Sequence, residues 1–206
     1  TITYSLTSNP GGLFQIDVNT GIVTTAAAID RETHGASRSI TVQASSSDGS
    51  TATQNFTITI NDLNEFAVST PTDSNAAANT VNENVAIGTS VGLTANAFDL
   101  DSTNNTISYS LTSNLDGLFQ IDSVTGVVTT AAAINRETHG ATRNITVQAS
   151  SSDGSTASQS FTITINDLNE FAVSTPTDSN AVANEVNENV VIGTTVGVTA
   201  NAFDLD

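Results

Sequence analysis

Apolar and polar positions alternate through nearly the whole chain. In TISYSLT (106–112), Ile107, Tyr109 and Leu111 share one face, with Ser and Thr between them. Period two sends successive side chains to opposite sides of an extended backbone, so this stretch predicts a half-buried strand. LFQID (118–122) and GVVTT (126–130) follow, separated by an SVTG turn. NITVQAS (144–150) and SQSFTITIN (158–166) are longer alternating runs joined by SSDGST. GTSVGLTANAF (88–98) predicts a further strand, and residues 65–85 predict at least one edge strand. No segment keeps a 3.6-residue apolar stripe, and AAAI (26–29, 131–134) is too short for an independent helix. About seven short strands, with turn signals every 8–12 residues, predict an all-β antiparallel Greek-key sandwich.

The pattern is written twice. An offset of 105 residues lays Tyr4 on Tyr109, Phe14 on Phe119, Asn61 on Asn166 and Glu83 on Glu188 without a gap. Roughly 85 of the 101 overlapping positions are identical. The reading is a tandem array of about 105 residues per repeat. Residues 1–65 form a repeat lacking its first two strands, 66–170 a complete repeat, and 171–206 the opening strands of a third. Two explanations fit the incomplete ends. Either the segment is a window on a longer array, or the tail of one chain completes the first repeat of another, head to tail, in a strand-donated filament.

Charge narrows the partners. The 206 residues carry 21 Asp and Glu against four Arg and no Lys, for a net charge of −17. Such a surface repels phosphates, which excludes nucleic acid and disfavours anionic membranes. No run of 18 apolar residues occurs, so this segment holds no spanning helix. The absence of cysteine fits a secreted chain or an intracellular one.

The acids gather in four recurring patches: NEN (82–84, 187–189), DLD (99–101, 204–206), DRE (30–32, NRE at 135–137) and DLNE (62–65, 167–170). Each lies at a predicted strand end or loop, where the backbone can turn several oxygens toward one point. Carboxylates crowded in this way repel one another unless a cation joins them. A hard divalent ion taking 6–8 oxygens in flexible geometry suits the set, and calcium suits it better than magnesium. RETHG (31–35, 136–140) places Arg, Glu and His together, but no nucleophile accompanies the His, and the chain reads as non-enzymatic.

The order of these motifs resembles a cadherin repeat, and among cadherins the bacterial kind found in large extracellular adhesins. The residues that carry the resemblance are NENVAIGTSVGLTANAFDLDSTNNTISYSL, LFQIDSVTGVV, INRET, ITVQAS and FTITINDLNEF. The resemblance implies Ig-like sandwiches with calcium bound between successive modules. Carried over by position, one junction draws on Asp30, Glu32, Asp62, Asn64 and Glu65, with Asp99, Asp101 and Asn104 from the following module. The next draws on Glu83, Glu137, Asp167, Asn169 and Glu170, with Asp204 and Asp206, and Glu188 stands in the second NEN.

Two departures bear on the sites. Asn135 replaces the acid found at Asp30, and Ser46 and Ser151 stand where the family's V.A.D motif has Asp, leaving Asp48 or Asp153 as substitutes from a shifted loop. The implied role is a calcium-stiffened structural or adhesive repeat of a secreted or surface-attached bacterial protein, acting in adhesion, biofilm or filament formation. Its partners would be calcium, neighbouring repeats and other copies of the chain. A polysaccharide- or protein-binding module is the alternative.

Overall fold

The computed structural model describes all residues, 1–206. In chain order the strands are β1 Ile2–Ser8, β2 Phe14–Ile16, β3 Val23–Thr25, β4 Ser37–Ser46 and β5 Thr51–Thr59. Next come β6 Thr72–Asp73, β7 Thr80–Asn82, β8 Ser90–Asn96, β9 Ile107–Asn114, β10 Phe119–Ile121 and β11 Val127–Thr130. β12 Thr142–Ser151, β13 Thr156–Asn166, β14 Thr177–Asp178 and β15 Ala200–Asn201 complete the set. Two single-turn helices, α1 Arg31–His34 and α2 Arg136–His139, follow the AAAI stretches.

The chain divides into two compact units. The first comprises residues 1–71, 97–108 and 148–158; the second comprises 72–96, 109–147 and 159–206. In the first unit, β1, β4 and β5 form an antiparallel sheet in the order β1-β4-β5, and β2 pairs with β3. Leu13, Phe14 and Ile40 are its buried centre, with Leu6, Val23, Ile29, Val42 and Ile58 packed half-buried around them.

The complete sandwich is centred on the second unit. One sheet runs β10-β11-β8-β6, and the other runs β7-β13-β12-β9. β7 joins β13 in parallel, Val81 opposite Ile165, whereas β8 meets β11 and β6 antiparallel. Alternation delivers Val91, Leu93 and Ala95 of β8 to the interior, where Leu118, Val128, Ile145, Val147 and Ile163 are likewise out of solvent. Gly126 sits at φ 71° with the Ala95 carbonyl so close that a Cβ would lie 2.1 Å from its oxygen. Only glycine admits both that backbone conformation and that approach.

The two single-turn helices have a local cause. Asp30 and Asn135 are extended N-caps whose side-chain oxygens accept from Thr33 N and Thr138 N, each at 2.8 Å. Gly35 and Gly140, both at φ 82°, end the turn by donating to the carbonyls of Arg31 and Arg136 at 2.7 Å. A capped turn of four residues needs no long amphipathic stripe, which is why the apolar pattern contained no helix signal.

Equal residues are buried unequally in the two repeats, which sets a test. Ile163→Ala empties a fully buried site and is expected to cost about 2–5 kcal/mol. Ile58→Ala, its half-buried counterpart, should cost less in dilute solution. Urea titration followed by the fluorescence of Tyr4 or Tyr109, each isolated by replacing the other with Phe, separates the two transitions.

Candidate metal centres

Within the first unit, the end of β5 runs into Asp62–Glu65 and meets α1 on one side and the 99–105 loop on the other. Asp101 is 1 % exposed, and its carboxylate accepts from the backbone N–H groups of Glu65 at 3.2 Å and Phe66 at 3.3 Å. Asp99 turns back to accept from Asp101 N at 3.1 Å. Glu32 Oε1 accepts from Ser102 N at 3.1 Å and Ser102 Oγ at 2.6 Å. The Asp62 carboxylate accepts from the Thr103 hydroxyl, and its other oxygen lies 3.6 Å from Arg31 Nε.

Donors run out before acceptors do. Glu32 Oε2, Asp62 Oδ1 and Asp99 Oδ2 are shielded from solvent without a hydrogen-bond partner. An orphaned carboxylate oxygen out of water is costly, and a cation is the partner that satisfies several at once. The neighbours leave a mark on Glu65, whose pKa is raised by desolvation and then by the charges of Glu32, Asp101, Asp62 and Asp30. Asp62 is lowered, chiefly by the Thr103 hydroxyl.

The hairpin between β12 and β13 adds a second group of oxygens. Carboxylate oxygens of Asp99, Asp101 and Asp153 all lie within 4.8 Å of one another. Asp153 is held by Ser155 N at 2.7 Å and Ser155 Oγ at 2.8 Å, which lower its pKa, and the Asn64 amide adds to that shift. Ser151, at the place where the V.A.D pattern has its acid, is buried and donates to the Asn104 carbonyl at 3.0 Å. The serine therefore anchors the loop, and the acid two residues later reaches the cluster. Asp48, the matching residue one repeat earlier, closes its own turn on Ser50 instead.

The second unit repeats the arrangement. Glu83 is fully buried, and its two oxygens accept from Arg136 N at 2.7 Å and Leu168 N at 2.8 Å. These backbone donors hold its pKa below the usual carboxylate value. Glu83, Glu137 and Glu170 bring carboxylate oxygens within 4.8 Å of one another. Glu170 also accepts from Asn84 Nδ2 at 2.5 Å, and desolvation leads the causes that raise its pKa, with Glu83, Glu137 and Asp206 adding to it. Asp167 pairs with Arg136. Asp206 accepts from Glu170 N at 2.9 Å and Phe171 N at 3.1 Å, as Asp101 does one repeat earlier.

Not every expected residue converges. Asp204 accepts from Asp206 N at 3.5 Å and stands outside the glutamate group. Glu188 and Asn169 are exposed and outside both groups. Asn104, at φ 57°, contributes a backbone carbonyl to loop closure. Ser102, Thr103 and Asn84 were not among the expected site residues, although each sits within or directly beside an acidic patch and supplies a donor to it.

Comparison with known proteins supplies the family context. The sequence matches the family "Cadherin domain" over residues 1–61 and 78–166. Human Protocadherin Fat 4 is 35% identical over 141 residues, covering 66% of this chain and 3% of that protein. Chicken Cadherin-7 is 40% identical over 96 residues, 45% of this chain and 12% of that one. The structure of mouse Cadherin-23 EC22-24 superposes with a TM-score of 0.75 at 29% identity, covering all of this chain and 65% of that one. The chain thus spans a small fraction of the curated relatives it matches.

These findings confirm the sandwich fold in tandem repeats. They overturn the bacterial subtype. The matching proteins come from human, mouse, rat and chicken, so the likeness is to eukaryotic cadherin and protocadherin domains. The expected bacterial adhesin, its biofilm role and its location as a secreted bacterial protein are corrected accordingly. Cadherin-type repeats remain the supported description.

The repulsion can be tested without metal. In chelator, Glu65→Gln or Glu170→Gln removes a charge that its neighbours oppose and should raise Tm by about 2–4 °C. Scanning calorimetry in chelator checks the change.

Proposed function

We propose, on the premise that this chain belongs to the cadherin family, that its acidic clusters bind calcium and that the ions hold successive adhesive repeats in a stiff array. The observation that carries this reading is the set of shielded oxygens on Glu32, Asp62 and Asp99 that accept no hydrogen bond, among other carboxylates. Calcium would supply a charge of two and an adaptable shell of oxygen ligands. Glu32, Asp62, Glu65, Asp99 and Asp101 would hold it in the first unit, with Asp30 alongside and Asp153 on the far side of Asp99 and Asp101. Glu83, Glu137, Glu170 and Asp167 would do the same in the second. Asn64, Asn104 and Asn169 belong to the same loops and complete the oxygen supply there.

In the first set Glu32, Asp62 and Glu65 belong to one 105-residue period and Asp99, Asp101 and Asp153 to the next; in the second set the named acids share one period, and Asp206, which accepts from Glu170 N, comes from the next. An ion that takes ligands from both therefore ties two repeats, with boundaries near residues 65 and 170. Extracellular sites of this class bind with Kd near 10⁻⁴–10⁻³ M. At free calcium about 100-fold above Kd, each site adds about 2.7 kcal/mol to the ordered state. Ordering a linker residue costs roughly 1–2 kcal/mol, so two ions offset several residues of linker. Without them, like charges push the boundary open.

Calcium is expected to raise Tm and to increase the radius of gyration measured by small-angle scattering, and chelator should reverse both changes. Asp62→Ala with Glu65→Ala should remove most of the response of the first cluster while Glu83, Glu137 and Glu170 keep theirs. A double variant with an unchanged calcium response would show that these side chains are not ligands.

A further inference from the structure

The outward faces of the long strands carry hydroxyls and amides and no acid. β5 presents Thr51, Thr53, Asn55, Thr57 and Thr59, all exposed. Against it β4 sets Ser39 opposite Thr57 and Thr41 opposite Asn55. In the second unit Thr162 and Thr164 are exposed while Ile163 and Ile165 are buried, and Asn144 is exposed beside buried Ile145. Alternation holds such polar side chains away from the sheet and in water. Two of them open a triplet with its own chemistry, Asn55-Phe56-Thr57 and Asn144-Ile145-Thr146. Asn, any residue but Pro, then Ser or Thr is the acceptor sequence for an N-linked glycan.

The placement is repeated although the residues are not. At the 105-residue offset Asn55 lies on Ser160 and Asn144 on Ser39, so each repeat has one asparagine where the other has serine. The hydroxyl two residues on is kept at all four places, Thr57 and Thr162, Thr41 and Thr146. The two amides are also held alike. Thr41 Oγ1 donates to Asn55 Oδ1 at 2.7 Å across β4 and β5, and Thr162 Oγ1 donates to Asn144 Oδ1 at 2.7 Å across β12 and β13. The oxygen is thereby turned onto the sheet, and Nδ2, which donates to no protein group, is left to solvent. The flanking residues, Thr53 and Thr57 in one unit and Thr142 and Thr146 in the other, are short and uncharged. A bulky group on Nδ2 therefore displaces only water.

We propose that Asn55 and Asn144 are N-glycosylation sites, one on the outer sheet face of each unit. In the transfer the bond from Nδ2 to sugar C1 forms as the C1–O bond of a lipid-diphosphate-linked oligosaccharide breaks. The lipid diphosphate leaves, and Nδ2 gives up one proton. The finished fold accommodates the product, because the amide side chain takes no part in the strand ladder and already points into water. A third triplet, Asn104-Asn105-Thr106, lies in the loop of the acidic cluster, where the Asn104 carbonyl accepts from Ser151, and is no part of the proposal. A glycan is bulky and solubilising. Here it would cover a sheet face that has no charge of its own to keep other chains away. Calcium is not needed for this modification, so failure of either reading leaves the other standing.

The full chain carrying Asn104→Gln, expressed in cultured human cells behind a cleavable secretion leader, tests the assignment. Intact mass, measured on protein from the medium and from the secretory membranes, should show two glycans per chain. Peptide N-glycosidase should remove both and leave Asp at each released site. Asn55→Gln and Thr57→Val should each remove the same glycan, and Asn144→Gln and Thr146→Val the other. Thr57→Ser, which keeps the hydroxyl, should retain it. The glycosylated chain should keep the far-ultraviolet β spectrum of the enzymatically stripped chain. A chain bare at either Asn55 or Asn144 overturns the proposal. So do glycans that persist in the Thr57→Val and Thr146→Val variants, or a β spectrum that returns only after the sugar is removed.

Discussion

A carboxylate oxygen withdrawn from water must find a donor or a cation, and the loops of this molecule are arranged around that requirement. Asp101 and Glu83 meet it with backbone N–H groups, which costs no side-chain entropy and pins the loop that offers them. Both are buried, because with their oxygens satisfied the surrounding chain can close over them. Glu32, Asp62 and Asp99 meet it in part, each keeping one shielded oxygen that accepts no hydrogen bond. The acids divide accordingly into those that build the loop and those that the built loop holds in readiness. Arg31 and Arg136 are the nearest positive charges, beside Asp62 and Asp167. With four arginines in the chain, such local pairing cannot neutralise 21 acids.

The sandwich is the second constraint, and it acts through edges. Residues 1–65 and 66–170 have nearly one sequence where they overlap, and their equivalent side chains differ in burial according to whether β7 and β8 lie against them. Side-chain identity is therefore not what makes Val128 a core residue and Val23 a half-exposed one. The neighbouring strand does that, by excluding water from the third side of the site.

Most strands were legible in the sequence because period-two alternation is a direct projection of a half-buried sheet. β9, β12 and β13 lie within a few residues of their patterns, and the edge-strand reading of 65–85 resolves into β6 and β7. The one-turn helices were not legible as apolar periodicity, since their cause is a cap and a terminal glycine. The acidic patches were visible at once, but their grouping was not. Asp153 and Asp48 occupy equivalent places in the sequence, and only the folded hairpin brings Asp153 to Asp99 and Asp101. The bacterial assignment went astray for a related reason. Alternating core positions and acidic loop ends carry the motif order here, so that order speaks for the fold and says little of lineage.

The N-cap of the single-turn helix separates two requirements that usually travel together. Asp30 and Asn135 grip the same threonine amide at the same 2.8 Å, one with a charge and the other without. The turn cannot tell them apart, so its geometry survives the exchange. Electrostatic strength at each boundary is then free to drift during duplication while the scaffold stays constant. An array grown by copying such units can acquire a gradation of charge along its length while every turn keeps one shape.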